Sequence, residues 1–112
     1  MIDRATASTL AHDVGKYVAR VAMNVAPGEP VPAALIPLLV KDLYELPGGR
    51  ASACFEALAR GLTDPRLDRA REHLTAIDAL EERVRAGDAS ACSEACAQAR
   101  EIHALLSALA KR

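Results

Sequence analysis

Apolar residues recur every three or four positions along most of this chain, the spacing that gathers them on one face of an α-helix. From about Asp3 to Ala26, the residues Leu10, Val14, Tyr17, Val18, Val21 and Val25 form such a stripe and predict a long first helix. Ala11, Gly15, Ala19 and Ala22 run beside it, a strip of small side chains that lets a neighbouring helix come close. His12, Asp13, Lys16, Arg20 and Asn24 take the remaining arc, which faces water. Pro27-Gly28-Glu29-Pro30-Val31-Pro32 ends the pattern, because prolines remove backbone donors and push their predecessors out of the α region.

A second stripe, Ala34, Leu35, Leu38, Leu39, Leu43 and Leu46, contains Pro37 and predicts a helix that starts near Pro32 with a distorted first turn. Pro47-Gly48-Gly49 closes it, and a shorter helix follows from about Ala51 to Gly61 with Phe55, Leu58 and Leu62 inward. Asp64-Pro65 then pairs a capping oxygen with a proline at the first helical position. The helix it opens turns Leu67, Ala70, Leu74, Ile77, Leu80 and Val84 inward, runs to Ala86 and stops at Gly87. A last helix opens near Asp88 or Ser90, with Ala95, Ala99, Ile102, Leu106 and Leu109 inward. Helices alternating with short connectors predict an all-α fold, an antiparallel bundle of four to five helices in one domain over residues 1–112.

Composition sharpens this picture. Of 112 residues 24 are alanine and 14 leucine, whereas Val, Ile and Thr together supply 15, so a sheet-rich fold is excluded. Tyr17, Tyr44 and Phe55 are the aromatics, too few for a bulky core, so close helix approach has to supply the stability. The alanine-rich faces are therefore expected contact surfaces, within the bundle or between copies in a homo-oligomer, and a deep substrate pocket is not expected. A formal charge of −1 lacks the positive field of a nucleic-acid binder, and many cations stand one turn from an acid, as Arg71 does from Asp68 and Arg85 from Glu81. Charges or prolines interrupt every apolar run before the roughly 18 to 20 residues of a membrane span, and no leader pattern opens the chain. Three cysteines, Cys54, Cys92 and Cys96, are not a disulfide framework, so a reducing cytoplasm is the expected setting.

The candidate chemistry lies in Ala11-His12-Asp13-Val14-Gly15-Lys16. His12 falls off the apolar stripe, so a partner can reach its imidazole, which is nucleophilic when neutral, and Asp13 can fix its tautomer. Lys16, one turn on, can steady phosphoryl oxygens as a point charge, and Gly15 leaves room for a docking partner. The same residues also suit an ordinary solvated helix face on which Asp13 and Lys16 make a weak pair.

This segment resembles the histidine-phosphotransfer domains, small four-helix bundles in which an alanine-histidine pair precedes a lysine-glycine pair; here the order is Gly15 then Lys16. The resemblance implies His12 as phosphoacceptor and a receiver-type domain as partner. His12 followed by Asp13 is also similar to the phosphoacceptor box of histidine-kinase dimerisation helices, where the acid assists the chemistry. A third likeness is to the HD-type phosphohydrolases, all-helical enzymes in which such a doublet, here His12 and Asp13, is a pair of metal ligands. A hydrolytic metal needs further ligands, and that family uses a histidine upstream; none precedes His12 in this sequence.

Other candidates are weaker. Cys92 and Cys96 share a helix face with His103, but His103 stands roughly 10 Å along the axis from Cys96 at 1.5 Å per residue, too far for one tetrahedral ion. A metal there needs ligands from elsewhere, such as Cys54 or His73; packing as small hydrophobes is the expected role of Cys92 and Cys96. His73 falls within the inward stripe of its helix and is expected to bond a carbonyl or carboxylate. Pro47-Gly48-Gly49-Arg50 has no phosphate-loop signature and reads as a turn, and none of Ser8, Ser52, Ser90, Ser93 or Ser107 stands in a nucleophile elbow. The expected function is a small cytoplasmic helical interaction module in bacterial signalling, without catalysis or cofactor; the alternatives are phosphotransfer through His12 and a degenerate metal phosphohydrolase.

Overall fold

Asp3 opens the first helix by accepting a hydrogen bond from the Thr6 N–H at 2.7 Å, which satisfies one of the donors a helix start leaves unpaired. The computed structural model describes residues 3–111. Helix α1 spans Arg4–Leu10 and passes without interruption into a π-helical turn, Ala11–Lys16, then α2, Tyr17–Ala19, and a 3-10 turn, Ala22–Asn24. The first helix is therefore present, but its middle is wound one residue wider per turn. Val14 and Gly15, then Val18 and Ala19, then Val21 and Ala22 are buried in adjacent pairs. Tyr17, placed inward by an undistorted α-helical count, is instead 39% exposed.

Pro32 precedes a 3-10 turn, Ala33–Leu35, and α3 follows over Ile36–Tyr44 with Pro37 in its first turn, the distorted start that its prolines require. The buried side of α3 is Leu39, Asp42, Leu43 and Tyr44. Leu38 lies about 100° round from Leu39 and is 45% exposed, and Ala34 is exposed as well, so neither joins the core. Leu46 lies beyond the helix in a four-residue turn, exchanging backbone hydrogen bonds of 3.0 and 2.8 Å with Gly49. Pro47 takes the second position of that turn and Gly48, at φ +103°, the third, where a left-handed residue is needed. Helix α4, Ala51–Ala59, then buries Phe55 completely.

Asp64 caps α5, Pro65–Ala79, by accepting from Arg66 N–H at 2.8 Å. The long helix expected to reach Ala86 is broken at Leu80, and α6 occupies Glu81–Arg85. A side chain from another helix enters the ladder at the break: the carbonyl of Ile77 accepts the Tyr44 hydroxyl at 2.7 Å and the Leu80 N–H at 3.0 Å. Gly87, at φ +79°, ends α6 with the paired bonds Gly87 N–H to Val84 and Asp88 N–H to Arg83, both 3.0 Å. Asp88 immediately starts α7, Ala89–Ala110, its carboxylate accepting from Ala91 N–H at 3.0 Å.

Helix α7 is the centre of the molecule. It packs against α1, the π turn, α2, α5 and α6, and buries Ala91, Ala95, Ala99, Ile102, Leu106 and Leu109 along with Cys92 and Cys96. Gly15 explains how closely the first helix approaches it: a Cβ built there stands 3.5 Å from Leu106 Cβ and 3.8 Å from His103 Cα. Gly15 is thus a packing residue, not the space for a docking partner that its position beside His12 suggested. Polar ties complete the bundle, with His73 Nδ1 at 2.5 Å from Gln98 Oε1 between α5 and α7, and Arg100 donating to the Val25 carbonyl at 2.6 Å. The fold is all-α, and among the described residues no helix is long and apolar enough to cross a membrane.

Candidate functional site

The π turn coincides with the motif Ala11–Lys16 and determines where its side chains stand. His12 exposes 67% of its side chain and Asp13 52%, and the two meet at 2.7 Å, His12 Nδ1 to Asp13 Oδ1. An ionised carboxylate can only accept, so the proton between them belongs to Nδ1, and the Nε2 lone pair of a neutral ring is left unused by Asp13. Tyr17 stands edge-on to the imidazole, ring centroids 6.5 Å apart at 81°. Lys16 is exposed, with no ion pair or side-chain hydrogen bond among the described residues.

One turn along, Arg20 lies over the Tyr17 ring at 5.2 Å and donates to both carboxylate oxygens of Asp42, through Nε at 3.3 Å and through a shorter bond from Nη2. Asp42 is completely buried, although the guanidinium that pairs with it is half exposed. Burial pushes the Asp42 carboxyl above the ordinary aspartate value, and the bonds from Arg20 pull against that rise. This pair joins the first helix to α3, and nothing in the periodic reading of the chain singled it out. The available signal was an acid at position 42 between Leu39 and Leu43, in the inward register of its helix.

A groove of about 450 Å3 opens beside the motif. Asp13 and Tyr17 form one wall, and the Leu46-Pro47 turn with Ala53 and Leu58 of α4 forms the others. Cys54 also lines it, half-buried, its thiol 3.6 Å from the Pro47 carbonyl oxygen. The volume falls within the roughly 300 to 1,000 Å3 of ligand clefts. The scarcity of aromatics argued against a deep pocket, and this is an open surface groove, with the turn at Leu46, Pro47 and Gly48 on one side and α4 on another.

The remaining candidates stand away from the groove. Cys92 and Cys96 are buried on the inner side of α7, and burial pushes both thiols above the ordinary cysteine value. Cys92 Sγ lies 3.9 Å from the Val84 carbonyl oxygen, a packing contact of a small hydrophobe. Among the described residues no group of three or more His, Cys, Asp and Glu side chains converges as a metal would require, so neither His12 with Asp13 nor Cys92 with Cys96 is completed by further ligands. His73 Nδ1 bonds the side-chain carbonyl oxygen of Gln98, an acceptor of the kind expected of it. Ser52 donates to Asp78 Oδ2 at 2.8 Å.

No protein-family model matches the chain, and neither a curated protein nor a solved structure matches it. The site has therefore to be read from its own chemistry.

Proposed function

We propose that this chain is a small helical protein-interaction module, a cytoplasmic signalling component without catalysis of its own, and that it engages its partner at the groove beside Asp13. The observation that carries this reading is the groove itself, a cleft of about 450 Å3 with a mostly apolar lining, whereas a second cleft of about 430 Å3 is lined by the charged Glu29, Arg83, Glu94 and Arg100. Exposed apolar side chains belong to the elements around it: Tyr17 on its wall, Met23 further along the first helix at 60% exposure, and Leu38 on α3. Hot-spot contacts favour such arrangements, aromatic and apolar anchors around a preformed cleft. Nine of the 24 alanines that suggested self-association, Ala19, Ala22, Ala91, Ala95 and Ala99 among them, are buried inside the bundle, which favours the groove over an alanine face as the contact surface.

A photo-crosslinking amino acid at Ala57, exposed in the groove, and another at Ala108, exposed on the outer side of α7, test this in the cytoplasm of the native host. The expected result is one discrete adduct from position 57, competed by unlabelled protein, and none from 108. Its mass reports the partner, twice the chain mass meaning a second copy. Equal adducts from both positions, or none from either, contradict the proposal.

A second reading, phosphotransfer through His12, is favoured by the 2.7 Å contact that holds its Nδ1 against Asp13. The Nε2 lone pair attacks phosphorus of an aspartyl phosphate on a receiver-type domain, the N–P bond forms, and the P–O bond to the departing carboxylate breaks. Asp13 stabilises the positive charge that the ring then carries, and Lys16 is available to the phosphoryl oxygens. Incubation with phosphoramidate or a phosphorylated receiver should give an acid-labile label at His12. No label on the wild type, or undiminished label on His12→Ala, removes this reading.

A further inference from the structure

Resting on the groove as the interaction face, we infer that it is built for one arginine side chain of the partner, the head at Asp13 and the stem along the aliphatic wall. Among the described residues, Asp13 is the only charged one lining the groove. His12 engages its Oδ1, while Oδ2 has no hydrogen-bond partner among the described residues. Neighbouring acids are already paired with arginines of this chain: Glu45 with Arg85 at 2.6 Å, Glu56 with Arg71 at 2.6 Å, and Asp42 with Arg20. Asp13, the carboxylate at the groove, has no guanidinium partner among the described residues.

The walls choose among ligands. An anion meets Asp13 at like charge, and a wholly apolar group covers the carboxylate without satisfying it, which costs the desolvation of that group. A long side chain with an apolar stem and a cationic head satisfies both parts, the stem against Leu46, Pro47 and Leu58 and the head at the rim. Arginine suits the site better than lysine, because its planar fork binds a carboxylate edge-on and stacks on aromatic rings.

The probe is n-butylguanidinium, an isolated arginine head and stem, with pentanoate as its charge-reversed control, followed by amide chemical shifts and by the alkylation rate of Cys54. Of the three cysteines Cys54 is the half-buried one in the groove, and the other two are buried. The guanidinium should shift Asp13, Ala53 and Ala57 and slow Cys54 alkylation, whereas pentanoate should do neither. Asp13→Asn should weaken the guanidinium about ten-fold, the loss of one charge-assisted contact, with an unchanged melting temperature. Equal binding of pentanoate, no response to either probe, or undiminished binding by Asp13→Asn overturns the inference. Crosslinking from position 57 with no guanidinium response defeats the arginine chemistry alone; a guanidinium response with no crosslink defeats the interaction module alone.

Discussion

At the scale of single residues, Asp42 and Gly15 explain most of what periodicity did not disclose. Arg20→Ala leaves Asp42 buried and ionised without its counter-charge, and we expect it to cost about 2 kcal/mol, below the ~3–5 of a fully enclosed pair because water reaches the guanidinium. Asp42→Asn, which removes the charge itself, should cost about 1 kcal/mol. Burial raises the Asp42 carboxyl in the folded state, so the penalty for its charge is absent below the ordinary 3.8 and develops as pH rises through the raised value. Arg20 opposes that penalty, so the gap between Arg20→Ala and the wild type should be small in acid and widen toward neutrality. Denaturant unfolding across that pH range checks it; a constant gap contradicts it. Gly15 makes the opposite kind of prediction. A methyl there meets Leu106 at an ordinary 3.5 Å, so Gly15→Ala should stabilise by about 0.5 kcal/mol through the unfolded chain, whereas Gly15→Val should lose about 1–3 kcal/mol by overpacking.

At the scale of elements, helix ends were legible wherever their chemistry is local. Asp64-Pro65, Gly87 and Asp88 act as starts and stops as their residue types predict, because a cap needs only neighbours in sequence. The break at Leu80 was not legible, since the Tyr44 hydroxyl that occupies the Ile77 carbonyl comes from 33 residues away. The caps carry a pH signature of their own. Hydrogen bonds from Ala91 and Arg83 hold Asp88 below its ordinary 3.8, so its contribution is complete above that value and is lost as pH falls through the lowered one. Asp88→Asn keeps a capping oxygen without that titration, so thermal melts in acid should show a shallower loss of stability than the wild type. Parallel acid limbs for the two proteins contradict the assignment.

At the scale of the whole molecule, the stripes of α5 and α7 read correctly because both helices lie against the core along their length. In the first helix Val18, Val21 and Val25 lie inward as the stripe predicts, and Tyr17 is the member of the stripe turned outward. The side of the helix that packs closest depends on Gly15 meeting Leu106 and His103 of α7, which no local pattern contains. The groove is a product of the same tertiary fit: the wide turn presents Asp13 and Tyr17 toward the Leu46–Gly49 turn, and the functional reading rests on that presentation. Tyr17 tests the placement most directly, because the apolar stripe turns it inward and the structure turns it outward to the groove. The decisive measurement is the alkylation rate of Tyr17→Cys in a Cys54→Ser background under native conditions, compared with Val18→Cys in the same background. The wide turn predicts that the thiol at 17 reacts without unfolding, while the thiol at 18 reacts only when denaturant opens the bundle. Protection of both positions until the bundle unfolds would contradict the register, and with it the placement of Asp13 at the groove.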